Sequence, residues 1–257
     1  MAPPKKLMWN IVVALASVGL NPLVTQTLGQ SEAREDVYSR LAEFQIPSFV
    51  VTSGIDQTFE RDNPVDRIIL ETHTTGNART TGKVSSELVE ARDAAIIKIT
   101  IQGEVNSQTA SKRGPATVNA KSQTEYTGIK YLEFLNGRVK HSPTEMQSTT
   151  SVTIGSVETT IPRWTGRIVI QVATNKAHAC RKEVEQITND LIRSELLSHI
   201  EKEFDSRITD LNDQIERQAA VLKAVSGKMF NFEINSKKHT LEVALQRRNR
   251  PIFNLGD

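Results

Sequence analysis

Residues Ala94–Val105 read AAIIKITIQGEV. Ile97, Ile99, Ile101 and Val105 fall on one side of an extended chain, with Lys98, Thr100, Gln102 and Glu104 on the other. Alternation with period two marks a strand with one buried and one wet face. The same rhythm recurs at Val84 and Leu88. It recurs again at Ile168, Ile170 and Val172, which read as a further strand. In Tyr131–His141, YLEFLNGRVKH, the pair Asn136-Gly137 stands between two strand-like runs, a strong hairpin signal. Threonine is abundant here, as suits solvent-facing strand positions. Strands joined by short turns imply an antiparallel sheet.

From Lys176 the rhythm changes, and no Pro or Gly interrupts the chain before Val225. Leu197, Ile200, Phe204, Ile208, Leu211, Ile215, Ala219 and Leu222 recur every three or four residues, preceded by Val184, Ile187 and Leu191. This is an amphipathic helix, capped by Thr174–Asn175 and stopped by Gly227. At 1.5 Å per residue it would span about 75 Å, whereas a compact chain of this size has a radius of gyration of about 17 Å. Three outcomes are open. The helix breaks near Ser198–His199 or Asp205–Ser206, or it projects toward a partner, or it lies bent on the apolar face of the sheet. The face a partner helix or second copy would use is Leu197, Ile200, Phe204, Ile208, Leu211 and Ile215. Beyond it, Phe232–Leu245, FEINSKKHTLEVAL, reads as a hairpin with Leu241, Val243 and Leu245 on one face.

Upstream of the sheet, Ser31–Phe44 places Val37, Leu41 and Phe44 at helical spacing, ended by Pro47. Ser53–Arg61 reads as a further helical turn. At the start, Lys5 and Lys6 precede the apolar stretch Leu7–Leu20 and then small residues, the layout of a secretory signal peptide. An uncleaved anchor is the alternative. The division that follows is 1–29 signal peptide, 30–64 N-terminal helical segment, 65–173 antiparallel β region, 174–227 long amphipathic helix, 228–248 closing hairpin and 249–257 tail. The expected class is α+β: an antiparallel sheet or open sandwich, then a long helix and a C-terminal hairpin.

Charge and chemistry narrow the function. Residues 1–29 hold two of the 32 lysines and arginines and none of the 30 acids, so the rest of the chain carries 30 of each. No net field points to nucleic acid or an anionic membrane, and contact with a membrane is expected only through an uncleaved signal. Lys237–Lys238 and Arg247–Arg250 read as a solvated turn and tail. The single Cys180 excludes an internal disulfide and reads as a small residue at a helix start.

Thr72–Val84 has Gly76, Gly82 and Lys83 after an apolar run, which raises a phosphate loop. The spacing is wrong, Val84 stands where the magnesium-binding hydroxyl belongs, and a strand follows instead of a helix. Gly76–Gly82 is therefore read as a polar turn between strands. The five histidines show no ligand spacing beyond His178 and Cys180, which point apart on a helix. There is no nucleophile elbow. No catalytic, metal or cofactor-binding residue is assigned and no cofactor is expected, although acids that meet only in space would escape this reading.

Several stretches together resemble a group of uncharacterised exported proteins of planctomycete-type bacteria. They are REDVYSRLAEF, HTTGNARTTG, AIIKITIQGEVNSQT, RGPATVNAKSQTEYTGIKYLEFLNG and ATNKAHACRKEVEQI. Thr75-Gly76, Thr81-Gly82, Gly103, Gly114-Pro115 and Lys130 are the matching positions. The resemblance runs over residues 34–211 and implies export and a sheet-then-helix order; it brings no activity. The expectation is an exported, non-catalytic binding or structural protein of the envelope or extracellular space, self-associating or pairing through the long helix. A carrier of a lipid or other apolar ligand is the alternative. An exported hydrolase using scattered carboxylates is the third.

Overall fold

The computed structural model describes residues 38–135, 137–226 and 230–248. The expected signal peptide, the start of the expected first helix, Gly227 and the tail lie outside them. In chain order the elements are β1 (Tyr38–Pro47), α1 (Ser48–Thr52), β2 (Gln57–Ile69), β3 (Thr72–Val89), β4 (Ala95–Arg113) and β5 (Ala116–Leu135). They continue with β6 (Arg138–His141), β7 (Glu145–Thr159), α2 (Arg163–Ala179), α3 (Arg181–Ser226), β8 (Phe230–Ser236) and β9 (Thr240–Arg248). The class is the expected one: an antiparallel sheet, a long helix and a closing hairpin.

The larger sheet has the order β2-β3-β4-β5. The far edge of β5 is shared, with β7 pairing along Ala116–Ile129 and β6 along Leu132–Leu135. Four strand spacings of about 4.8 Å make it about 19 Å wide, while a helix is about 10 Å across. Yet α3 touches both edges. Arg67 on β2 pairs with Glu195, and on β7 the Val152 N–H donates to Glu185 Oε1 at 2.9 Å. The sheet must therefore curl around the helix, apolar side inward.

Sheet and helix also match in length. The strand β5 has 20 residues, about 66 Å at ~3.3 Å each; α3 has 46, about 69 Å. A compact-globule estimate fails here because the strands are as long as the rod they cover. The helix accordingly shows no interruption at Ser198–His199 or Asp205–Ser206. Its one break is at Cys180, where α2 hands over to α3. Cys180 thus caps a helix end and joins two helices rather than starting one.

Side chains of α3 also finish the sheet's open edge. Besides Glu185, Glu201 Oε1 accepts the Thr144 N–H at 2.8 Å, and Asn212 both accepts from the Val139 N–H (2.8 Å) and donates to its carbonyl (3.0 Å). Unpaired edge groups invite foreign strands; here the helix occupies them.

The small sheet β1-β9-β8 closes one end. It joins the large sheet through the Ala91–Ser236 bridge and an apolar cluster of Ile46, Val51, Leu88, Ala95, Ile234, Leu241 and Val243. The expected closing hairpin is β8–β9, and Lys237 sits in its turn, paired with Glu242 at 2.6 Å.

Four expectations are corrected. The helix read over Ser31–Phe44 is a strand from Tyr38 onward, because β9 offers an edge to pair with, and tertiary pairing overrides local propensity. The helical turn read at Ser53–Arg61 comes earlier, at Ser48–Thr52, and Gln57 already opens β2. Ile168, Ile170 and Val172 belong to α2, not to a strand, so the helical region begins at Arg163 instead of Thr174. Three alternating apolar residues fit either period.

The fourth correction concerns Gly76–Gly82, which is no turn: it lies inside the 18-residue strand β3. A Cβ on Gly76 would stand 2.0 Å from the Gln108 carbonyl oxygen, so this glycine permits close strand approach. Of the Asn136-Gly137 pair, Asn136 lies outside the described residues, and the hairpin the pair signals is present. Leu135 pairs with Arg138, and Gly137 has φ +75°.

Candidate functional site

Along the inner face of the sheet the side chains change size. Near the small sheet they are large: Val84 and Leu88 on β3, Ile97, Ile99 and Ile101 on β4, Leu132 and Phe134 on β5. Toward the other end they shrink to Thr72, Thr74, Gly76 and Ala78 on β3, Ser107, Thr109 and Ser111 on β4, and Ala116, Val118 and Ala120 on β5. The helices follow the same gradient. Ile200, Phe204, Ile208, Leu211 and Ile215 face the large residues, and Ala173, Ala177, Cys180, Val184 and Thr188 face the small ones. Where small faces small, side chains cannot fill the space.

The result is a cavity of about 710 Å³ between α2–α3 and strands β2, β3, β4, β5 and β7. On β4 it runs from Val105 to Arg113, about 26 Å at ~3.3 Å per residue. It is a channel along the strands rather than a round pocket. Its volume falls within the 300–1,000 Å³ typical of small-molecule sites.

A cross-strand row closes the inner end. Phe59 pairs with Gly82, Gly82 with Gly103, and Gly103 with Tyr126. The two glycines leave a trough that both rings fill. A Cβ on Gly103 would stand 2.5 Å from Tyr126 Oη and 2.1 Å from the Thr81 carbonyl oxygen. Tyr126 donates to that carbonyl at 3.2 Å, and burial pushes its phenol up to about 12. The tyrosine is thus a neutral plug between core and channel.

The channel walls are less polar than their serines and threonines suggest. Thr74 Oγ1 lies 2.8 Å from Ser111 Oγ, and Ser107 Oγ lies 2.7 Å from Ser122 Oγ. Each pair joins residues opposite in register. Hydroxyls that satisfy one another turn their carbon atoms to the lumen.

Charge is one-sided. The charged residues lining the channel are Arg61, Arg67, Arg113, Lys121, Lys176 and Arg181 against one acid, Glu195. Glu195 pairs with Arg67, and the Arg61 guanidinium lies 3.5 Å from His199 Nε2. These contacts form the seam between β2 and α3. Arg113 pairs with Glu71 and Arg181 with Glu185, so the local excess over the near-zero balance of residues 30–257 rests on Arg61, Lys121 and Lys176.

A second polar group lies beside the core. Lys130 is fully buried; its Nζ donates to Glu201 Oε2 and to the Ser142 carbonyl, each at 2.7 Å, and sits 5.2 Å from the Phe204 ring centre. Burial pushes the Glu201 carboxyl up, but hydrogen bonds from Lys130 and Thr144 outweigh it and hold the pKa below the usual value. His141 Nε2 lies 2.8 Å from Asp205 Oδ1, and its Nδ1 lies 3.9 Å from Glu201. His141, Glu201 and Asp205 are close enough to share a cation. However, both Glu201 oxygens are already engaged, and the buried ammonium 2.7 Å away repels a metal. The cluster is a clasp fixing α3 to β5 and β6.

The partner face read from the sequence is occupied. Ile208 and Leu211 are buried against Ile99, Ile101 and Val105, with Ile200, Phe204 and Ile215 packed around them; Leu197 is half-buried outside that cluster. The stripe covers the chain's own sheet, so it is not a free face for a partner helix. The channel was missed because each small residue looks unremarkable alone. The readable signal was the run Val105, Ser107, Thr109, Ser111 facing Ala173 and Ala177. No family model, curated protein or solved structure matches the chain.

Proposed function

We propose that the protein is an exported, non-catalytic carrier of an amphiphile with one long apolar chain and an anionic head group. The observation that carries this reading is the channel itself: narrow, about 26 Å long, walled by methyl groups and paired hydroxyls, and bordered by cations. An extended acyl chain fits such a shape, while a compact ring system would leave most of it empty. Lys176 is placed to meet the head group. Glu195, the one acid in the lining, is engaged by Arg67, which does not supply the facing carboxylates a glycosidase needs. Export rests on Lys5 and Lys6 followed by Leu7–Leu20.

Native mass spectrometry of protein extracted from its own cells tests the reading, together with titration by a fluorescent long-chain fatty acid. A bound mass released by organic solvent, and saturable probe binding, are expected. Ala120→Leu with Ala177→Leu narrows the channel and is expected to weaken probe binding at least tenfold while the chain stays folded. An empty protein that also fails to bind the probe overturns the carrier.

A further inference from the structure

Among the described residues six large hydrophobic side chains are exposed, and three of them lie on α2 at one end of the sheet: Trp164 (70%), Ile168 (52%) and Val172 (61%). Strand register defines that end. His73 pairs with Lys112 and Ala116 with Thr159, so the β2–β3 turn, the β4–β5 turn and the end of β7 lie together. There α2 begins, tied by the Thr160 N–H to the Pro115 carbonyl at 3.0 Å. Isolated exposed hydrophobic residues are ordinary; a row of three on one helix at a channel end is not.

Trp164, Ile168 and Val172 are spaced by four and form one stripe on α2. The same helix carries Arg163, Arg167 and Lys176 and no Asp or Glu. An apolar stripe beside cations, led by a tryptophan, is the pattern of a helix lying in a bilayer interface. No helix among the described residues is long and apolar enough to cross a membrane. The stripe is also continuous with the channel: Ala173, Lys176 and Ala177 line it from α2. Nearby acids are engaged, Glu71 with Arg113 and Asp66 with His73.

We infer that this end docks on an anionic lipid bilayer, with Trp164, Ile168 and Val172 entering the interface and Arg167 and Lys176 meeting lipid head groups. The inference rests on the carrier reading: docking brings the channel to the bilayer, so an amphiphile passes between them without crossing water. Each Lys or Arg near an anionic surface strengthens binding about fivefold.

The test uses the full chain carrying Trp9→Phe, which leaves Trp164 as the sole tryptophan. Its emission is read with vesicles of phosphatidylcholine alone or mixed with phosphatidylglycerol. With Trp9 removed, the emission reports the surroundings of Trp164 and not those of the N-terminal apolar stretch. A blue shift is expected with the mixed vesicles and little with the neutral ones. Ile168→Asp with Val172→Asp should lower the partition coefficient read by Trp164 about a hundredfold, tenfold per side chain. Both positions are exposed, so folding should persist, and fatty-acid binding in vesicle-free buffer should be unchanged. Absence of the shift, an equal shift on neutral vesicles, or undiminished partition of the double variant overturns the docking inference. Loss of fatty-acid binding in vesicle-free buffer by the parent chain bears instead on the carrier reading.

Discussion

The two halves of the curled sheet share strands, helix and curvature, yet one is a packed core and the other a channel. In the core half Ile99, Ile101 and Leu132 meet Ile208 and Leu211, and all are nearly inaccessible. In the channel half the same strands carry Ser107, Thr109 and Ala120 and meet Ala173 and Ala177. The backbone is indifferent to the change. Stability and binding are thus assigned to opposite ends of continuous elements, separated by the Phe59–Gly82–Gly103–Tyr126 row.

The largest effect should come from cutting the core. Ile99, 1% exposed, should cost about 4 kcal/mol on Ile99→Ala. Val118→Ala, at the channel wall, should cost under about 1 kcal/mol because the space beside it is already open. Equal costs by urea unfolding would dissolve the distinction.

The clasp comes next. Glu201→Gln leaves the buried Lys130 cation without its counter-charge and should cost about 3 kcal/mol, the low end for a buried pair because Glu201 is partly exposed. Replacing the cation instead, Lys130→Met, should cost much less. The sign of the pH dependence follows from the lowered Glu201 pKa. Its contribution is complete above the unfolded carboxylate value and is lost as pH falls through the folded one. Acid unfolding should therefore steepen below the usual carboxylate range, and Glu201→Gln should remove that component.

The dividing row is the third target. Gly103→Ala drives a Cβ toward backbone at the Thr81 carbonyl and should cost about 3 kcal/mol. Gly82→Ala meets only side-chain atoms, the Phe59 ring and Tyr126 Oη, which can give more readily than backbone, and should cost about 1–2 kcal/mol. Similar costs would mean that those side chains are as fixed as the backbone.

The smallest effect should be a gain. Leu70 and Glu71 form the two-residue β2–β3 turn with φ of +48° and +58°. Glu71→Gly should relieve the second position and stabilise by about 1 kcal/mol, raising the melting temperature by about 2–4 °C.

That turn also shows why parts of the fold escaped a linear reading. The Asn-Gly signal announces its hairpin, where Gly137 has φ +75°; Leu70 and Glu71 adopt left-handed backbone without the residues that favour it. Tyr38–Pro47 has helical spacing but pairs with β9, and Ile168–Val172 alternates yet sits in a helix. In each case the local pattern fits two periods and a distant partner selects one. Glu185, Glu201 and Asn212 interrupt the apolar stripe of the helix, and only in space do they cap the open edge along β6 and β7.

From the sequence alone came the two rhythms, and with them the alternating strand at Ala94–Val105, the helical periodicity through Glu183–Leu222 and the closing hairpin. Each is set by the side-chain period of its own segment. The tertiary structure decided what those rhythms enclose. A void depends on the summed volumes of side chains that strands and helix bring together from positions far apart in the chain. No single segment carries that sum, so the channel, its cationic border and the exposed stripe beside it emerge only when the sheet has closed around the helix.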